Sequence, residues 1–230
     1  MPQIIVFDVV ETLLDLRALD PHFKRIFGAE RAREDWFHQL LQLAFVSNST
    51  GSYRDFSALG SSALAMTAER YKVQLSSDDK KDIQNTIREL PPHPDVKQAL
   101  QQLSEAGFRL ATLSNSTRDV SESQLEHAGI ANFFEKILSA NSVKRYKPAC
   151  EPYEMAAKEL DVDVSDIVLV AAHGWDIAGA QHVGCRTAFV ARPGKVLDPD
   201  GPKPTFYTLS LTALARGCRA IPSAQTFRRR

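Results

Sequence analysis

The sequence predicts an α/β fold, with a doubly wound parallel sheet as its core and an all-helical segment inserted after the first strand. Three observations support this prediction. An apolar, β-branched run lies at residues 4–7, and from residue 95 onward short apolar runs alternate with helix-like segments. Alternation of this kind builds parallel sheets. Between them, residues 15–92 show only the apolar spacing of helices.

The first strand is predicted at residues 4–7, where Ile-Ile-Val-Phe reads as a buried strand. Asp8 ends this run abruptly, and Thr12 follows four residues later. The carboxyl ends of strands are where open α/β sheets bind their ligands. Asp8 is therefore the first candidate functional residue.

The inserted segment is predicted to be helical because apolar residues recur at helical spacing in 36–44 and again in 59–66. Residues 75–79 supply a helix N-cap, and Ile83 and Ile87 lie on one face of the helix that follows. The prolines of segment 91–94 end the helical pattern. We therefore predict a core domain of residues 1–14 and 93–230 and a helical cap domain of residues 15–92.

The second half is predicted to alternate helices and strands, with glycines ending three of the helices. The predicted helices are 96–106, 120–128, 151–160 and 176–183, and the predicted strands are 108–113, 136–139, 167–171 and 187–190. With the N-terminal strand, this gives a Rossmann-like sheet of five strands.

The composition is that of an ordinary globular protein of 230 residues, with 43% hydrophobic and 24% charged residues and a formal net charge of +0. This charge balance predicts neither a nucleic-acid partner nor a membrane surface, and no apolar run has the ~18 residues of a membrane span. A homodimer is compatible with the sequence. Three isolated cysteines and the absence of a signal-peptide pattern predict reduced thiols and a cytoplasmic protein. The basic end Arg228–Arg230 is expected to be solvated.

Polar side chains follow the predicted strands at the points where they end. These residues are Asp8 and Thr12, then Ser114 and Asn115, then Lys147, and finally His173 and Asp176. Because the carboxyl ends of parallel strands share one edge of the sheet, a nucleophile, hydroxyl and amide donors, a cation and a second carboxylate are expected in one crevice.

This constellation resembles the haloacid dehalogenase superfamily over nearly the whole chain, including the helical cap. Segment 7–13, Phe-Asp-Val-Val-Glu-Thr-Leu, is similar to the nucleophile motif, and 113–115, Leu-Ser-Asn, to the second motif. Segment 146–148, Tyr-Lys-Pro, is similar to the third motif, and 175–180, Trp-Asp-Ile-Ala-Gly-Ala, to the fourth.

Two positions favour the metal-independent L-2-haloacid dehalogenases within this superfamily. Val10 and Ala172 lie at the two positions where the phosphatases that this motif set resembles carry acidic residues. The resemblance implies that Asp8 attacks the halogen-bearing carbon of a small 2-haloacid, forming an ester that water hydrolyses, without a metal or another cofactor. It assigns catalytic roles to Asp8, Thr12, Ser114, Lys147 and Asp176. It assigns substrate or halide binding to Val10, Phe37, Asn115, Tyr153, His173 and Trp175.

The sequence departs from the dehalogenase pattern around the substrate. Glu11 stands where that pattern has glycine, Phe37 where it has an arginine of the cap, and His173 where it has asparagine. Arg33 and Arg54 are the nearest cations in sequence that could replace the arginine. A neutral imidazole at His173 would orient water or donate to a leaving fluoride.

Two alternatives from other functional classes stay open. The first is a phosphatase acting on a small phosphoester, with Mg²⁺ bound by Asp8 and Asp176; Val10 argues against it because valine cannot protonate a leaving group. The second is a non-enzymatic member of the fold that binds a metabolite or a protein. The complete set of motif residues argues against loss of activity.

Overall fold

The computed structural model describes residues 4–29 and 31–219, and their six strands form one sheet in which all neighbours are parallel. The strands are β1 (Ile4–Phe7), β2 (Arg109–Ser114), β3 (Lys136–Ser139), β4 (Ile167–Ala171), β5 (Arg186–Val190) and β6 (Phe206–Thr208). Their order across the sheet is β3-β2-β1-β4-β5-β6. Because β1 is internal and strands are added on both of its sides, the predicted doubly wound α/β class is confirmed.

The segment after β1 is helical, as its apolar spacing predicts. It contains a short 3-10 helix (Leu16–Leu19), α1 (Asp20–Phe27), α2 (Ala32–Thr50), α3 (Phe56–Tyr71) and α4 (Ser77–Arg88). α4 begins at a capping box, in which Ser76 and Asp79 each accept the other's backbone N–H. Trp36 of α2 packs on Phe23 of α1 with ring centroids 5.4 Å apart, and its indole N–H donates to the Gly60 carbonyl of α3 at 3.0 Å.

The two chain segments that connect the helical insert to the rest of the protein lie side by side. The Asp15 amide donates to the Pro91 carbonyl at 2.8 Å, and the His93 amide donates to the Leu13 carbonyl at 2.9 Å. Segments 13–15 and 91–93 therefore pair as the two connections of the helical insert. This pairing supports the division at residues 14/15 and 92/93, which stays a prediction.

The remaining helices lie against the sheet. They are α5 (Val96–Glu105), α6 (Arg118–His127), α7 (Cys150–Leu160), α8 (Gly174–His182) and α9 (Leu211–Arg219). Alternate residues of a strand point to opposite faces, and Ile5 and Phe7 of β1 belong to one apolar cluster while Ile4 and Val6 belong to another. Both faces of β1 are therefore covered, which explains why its sequence is continuously apolar.

The sequence predicts five strands and four helices in the core domain, and the structure contains two further elements that this prediction missed. β6 has three residues at the edge of the sheet, too few to show a strand period. α9 was also missed, although Leu211, Leu214 and Ala215 are buried at helical spacing. A smaller correction concerns Ser114, which is the last residue of β2 and does not follow the strand.

Other expectations concern the whole chain. None of the helices in the described ranges combines the length and apolar character needed to cross a membrane. Cys150, Cys185 and Cys218 are free thiols. The basic end Arg228–Arg230 lies outside the described residues.

Candidate active site

The site is built around Asp8, the residue directly after β1. The Asp8 amide donates to the Val170 carbonyl of β4 at 3.0 Å, so the backbone stays paired one residue beyond the strand. Asp8 is only 6% exposed. The carboxyl ends of β1, β3 and β4 lie at the same edge of the parallel sheet, and the loops that follow these strands bring Thr12, Lys147 and His173 to Asp8.

Three side chains contact the Asp8 carboxylate. Its Oδ1 accepts a hydrogen bond from Lys147 Nζ at 2.9 Å, and its Oδ2 accepts one from Thr12 Oγ1 at 2.6 Å. His173 Nδ1 lies 3.1 Å from Oδ2. Burial raises the pKa of Asp8, but the charges of Lys147 and His173 outweigh burial and hold this pKa well below its usual range. Asp8 is therefore a carboxylate at neutral pH.

Lys147 connects Asp8 to the second buried carboxylate. Its ammonium is fully buried and donates to Asp8, to Asp176 Oδ2 at 2.6 Å and to the Leu113 carbonyl at 2.8 Å. Burial lowers the pKa of Lys147, but the two carboxylates raise it above its ordinary value, so the group stays charged. The other Asp176 oxygen, Oδ1, accepts from Tyr153 Oη at 2.7 Å.

His173 lies between two carboxylates. Its Nε2 is 2.9 Å from Glu11 Oε2, and its Nδ1 faces Asp8. Burial lowers the pKa of His173, but bonding to these carboxylates outweighs burial and raises it to about 9. The expectation of a neutral imidazole is therefore wrong for the free enzyme, because the two carboxylates stabilise the imidazolium.

Ser114 and Asn115 come from the end of β2. Asn115 Oδ1 accepts the Lys147 backbone N–H at 2.9 Å, so Asn115 holds the backbone that carries the buried ammonium. Ser114 Oγ accepts the Ser116 N–H at 3.1 Å and shapes the turn after the strand. Both side chains are at most 6% exposed. The structure thus brings Ser114, Asn115 and Lys147 together, and a substrate contact for the first two stays a prediction.

Aromatic rings surround the imidazole of His173. Trp175 stacks on it with ring centroids 5.0 Å apart, and Phe37 of α2 lies 6.2 Å away on centroids. Phe45, about two helical turns further along α2, contacts Trp175 edge-on with ring centroids 5.8 Å apart. Val10, which is half-buried, packs against the apolar cluster that contains Ile5 and Phe7. The helical insert therefore forms an apolar wall over the imidazole.

A cleft of about 350 Å³ opens beside Glu11, between α2 and the loop that follows β5. Its lining includes Glu11, Arg33, Phe37, His93, Arg192 and Lys195. Lys195 Nζ is 2.5 Å from Glu11 Oε2 and 5.9 Å from the centroid of the Phe37 ring. Arg33 Nη1 lies 3.8 Å from Glu11 Oε1. Lys195 therefore lies close to Phe37, the position where the family pattern has its cap arginine, and Arg33 lines the same cleft.

Lys195 was missed by the sequence analysis, and Glu11 was noted there only as a departure. Lys195 follows β5, so the rule that picked the other site residues could have found it. Burial raises the pKa of Glu11, but His173 and Lys195 lower it to about 2. Of the two arginines suggested from sequence, Arg33 lines the cleft, whereas exposed Arg54 donates to Ser62 Oγ at 3.1 Å.

The donors around Asp8 and Asp176 do not fit a magnesium ion. The Lys147 ammonium occupies the position between the two carboxylates, and Tyr153 takes the remaining Asp176 oxygen. Val10 and Ala172 contribute no side-chain oxygen, and Mg²⁺ requires oxygen ligands. In the part of the chain that the structure describes, no group of three or more acidic, histidine or cysteine side chains could hold a metal. These contacts argue against the phosphatase alternative.

Comparison with known proteins gives matches to haloacid dehalogenases and their family. Residues 5–190 match the family described as haloacid dehalogenase-like hydrolase. The chain is 31% identical to (S)-2-haloacid dehalogenase 1 of Pseudomonas sp. (strain CBS-3), over 83% of this chain and 85% of that protein. It is 29% identical to the (S)-2-haloacid dehalogenase of Pseudomonas sp. (strain YL), over 91% of both chains.

A solved structure has the same fold as this chain. The L-2-haloacid dehalogenase from Xanthobacter autotrophicus with chloropropionic acid covalently bound matches with a TM-score of 0.89 at 23% identity, covering 96% of this chain and 100% of that one. At this level of identity the likeness concerns the arrangement of strands and helices.

Proposed function

The chain belongs to the family of haloacid dehalogenase-like hydrolases, and we propose that it hydrolyses the carbon–halogen bond of a small 2-haloacid with Asp8 as the covalent nucleophile. The observation that carries this proposal is the ionised, buried Asp8, whose carboxylate accepts hydrogen bonds from Lys147 and Thr12. Curated relatives are named (S)-2-haloacid dehalogenases, which supports the same reaction.

In the first step, an Asp8 oxygen attacks the carbon that bears the halogen. The new carbon–oxygen bond forms as the carbon–halogen bond breaks, and the halide leaves with the bonding electrons. A halide needs no proton to leave, which agrees with Val10 standing where a general acid would be required. Lys147 and Thr12 hold the carboxylate in place for this attack and keep it ionised.

In the second step, water attacks the carbonyl carbon of the Asp8 ester. The bond from this carbon to the product oxygen then breaks, which releases the 2-hydroxy acid and restores the Asp8 carboxylate. Lys147 and Thr12 stay within hydrogen-bond reach of the carboxyl group and stabilise the negative charge that develops on its oxygen. Asp176 and Tyr153 hold the Lys147 ammonium in position during both steps.

The carboxylate of the substrate requires a cation, and Phe37 cannot supply one. We assign this role to Lys195, with Arg33 beside it, because both line the cleft next to Phe37. In the free enzyme both cations face Glu11. A bound haloacid would share them with Glu11, and Ser114 is expected to contact the same carboxylate from the side of the sheet.

Halide release tests the proposed function. The substrates are chloroacetate, bromoacetate, fluoroacetate and both enantiomers of 2-chloropropionate, each with and without EDTA. We expect halide release that EDTA does not abolish, and Asp8→Asn should reduce it by several powers of ten. No halide from any of these acids, together with Mg²⁺-dependent phosphate release from a phosphoester, would contradict the proposal and support a phosphatase.

A further inference from the structure

We propose that Glu11 and His173 form a dyad that hydrolyses the ester intermediate, with His173 as the general base and Glu11 as the residue that positions it. This inference rests on the proposed function, because it concerns the second half of that reaction. It gives a chemical role to the two departures from the dehalogenase pattern that contact each other.

The geometry places one nitrogen of the imidazole at each carboxylate. His173 Nδ1 is 3.1 Å from Asp8 Oδ2, so water attacking the Asp8 carboxyl group would come next to this nitrogen. On the opposite edge of the ring, Nε2 is 2.9 Å from Glu11 Oε2. Trp175 stacks on the ring and Phe37 lies near it, which restricts its rotation. A base held by a carboxylate on its far nitrogen is the arrangement that orients catalytic histidines.

The charges around the ring change during the reaction. Asp8 and Glu11 face the imidazole directly, Lys195 and Arg33 face Glu11, and Lys147 and Asp176 lie on the far side of Asp8. In the free enzyme the two carboxylates hold His173 as an imidazolium. Ester formation removes the charge of Asp8, so the imidazolium loses one of its two anionic partners. It then releases its Nδ1 proton to solvent, and this is the one proton that the overall reaction produces.

The hydrolytic step then balances. Water forms a bond to the Asp8 carbonyl carbon, and the bond from that carbon to the product oxygen breaks with its electrons on the product. One proton of the water ends on the hydroxyl group of the product, and the other ends on His173 Nδ1. The Asp8 carboxylate and the imidazolium of the free enzyme are restored together.

His173 lies on the wrong side to protonate the leaving group. In a direct displacement the leaving halide departs opposite to the attacking oxygen, whereas His173 contacts the attacking carboxylate itself. A side chain that touches the nucleophile is therefore placed for the water step. This argues against the expectation that His173 donates to a leaving fluoride.

A rapid-mix experiment separates the two half-reactions. His173→Ala keeps the attack of Asp8 but removes the base and leaves no side chain that could orient water, so we expect a burst of halide equal to the enzyme concentration, followed by hydrolysis slowed about 10²–10⁴-fold. The ester on the peptide that carries Asp8 should accumulate and be detected by mass spectrometry. The exposed His127 gives the matched control, since His127→Ala should hydrolyse the ester as the wild type does.

Glu11→Gln provides a second readout, which tests the dyad even if His173→Ala does not fold. A neutral amide does not stabilise the imidazolium, so the pH below which ester hydrolysis slows should fall by roughly one unit or more, with a lower maximum rate. Three results would each overturn the dyad. They are wild-type hydrolysis that does not slow at low pH, a pH profile that Glu11→Gln does not shift, and a folded His173→Ala that accumulates no ester. Absence of halide release by the wild type would instead contradict the proposed function.

Discussion

At the scale of single residues, the site is a balanced set of buried and half-buried charges. The carboxylates are Asp8, Glu11 and Asp176, and the cations are Lys147, His173 and Lys195. Removing one partner of such a pair leaves an uncompensated charge away from water, which costs about 3–5 kcal/mol. Such a network is weak evidence for stability, because apolar side chains of similar volume would fill the same space without this cost.

The pH dependence of folding should report His173. Its pKa is raised to about 9 in the folded state, against 6.5 for the free side chain. The resulting stabilisation is fully present below about pH 6.5 and is lost as the pH rises through about 9, on the order of 3 kcal/mol. Urea unfolding across this window should show the loss in the wild type and in His127→Asn but not in His173→Asn. A flat wild-type profile would show that His173 is neutral.

Lys195 should control substrate affinity. Lys195→Met keeps the apolar stem and removes the charge next to Phe37, so KM for chloroacetate should rise about tenfold or more, as expected for a lost hydrogen bond to a charged group. Steady-state halide release measures this, with the exposed Lys80→Met as the control. An unchanged KM would mean that Arg33 or backbone amides hold the substrate carboxylate.

At the scale of elements, α8 and the loop before α7 determine where Lys147 lies. α8 carries Asp176 and begins directly after His173. At Gly179 of this helix, an added Cβ would lie 2.5 Å from Pro148 Cβ and 2.7 Å from the Pro148 carbonyl oxygen. The absence of a side chain at Gly179 thus lets the backbone next to Lys147 approach the helix closely.

Gly179→Ala should therefore reduce activity more than a helix substitution ordinarily does. The methyl group pushes Pro148 and with it Lys147 away from Asp8, costing about 1–3 kcal/mol of stability and on the order of 10² in kcat. Gly60→Ala in α3 is the control, because its Cβ would meet Leu40 and Trp36 at an ordinary 3.9 Å. Urea unfolding and halide release measure both effects. Equal behaviour of the two variants would contradict the argument.

At the scale of the whole molecule, the helical insert binds the loop between β3 and α7 beside the site. Asn48, near the end of α2, accepts the Tyr146 amide at 2.9 Å and donates to the Tyr146 carbonyl at 2.7 Å. Tyr53 stacks on the Tyr146 ring with centroids 5.4 Å apart. Tyr146 directly precedes Lys147 in the chain. The insert therefore covers the site and also fixes the segment that carries its buried ammonium.

Much of this architecture was predictable because it depends on local patterns. β1 is covered on both faces, so its four residues are continuously apolar, and Asp8 marks its end without ambiguity. Helical spacing of apolar residues likewise revealed α2 and α3. The three-residue edge strand β6 has no such pattern.

The charge state of the site was less accessible to sequence reasoning. Whether His173 is neutral depends on Asp8 and Glu11, which are more than 160 residues away in the chain. Lys195 meets Glu11 only because the loop after β5 folds toward α2. Such contacts arise from tertiary packing, and no local pattern records them.

The central claim is that Asp8 is the covalent nucleophile, and a single turnover in H₂¹⁸O with enzyme in excess over 2-chloropropionate tests it most directly. If Asp8 attacks carbon, the hydroxyl oxygen of the product comes from the carboxylate and is unlabelled, while ¹⁸O enters the Asp8 side chain. Mass spectrometry of the product and of the peptide that contains Asp8 reads both atoms. We expect label in Asp8 and none in the product. Label in the product with an unlabelled Asp8 would mean that water attacks the substrate directly, contradicting the covalent route.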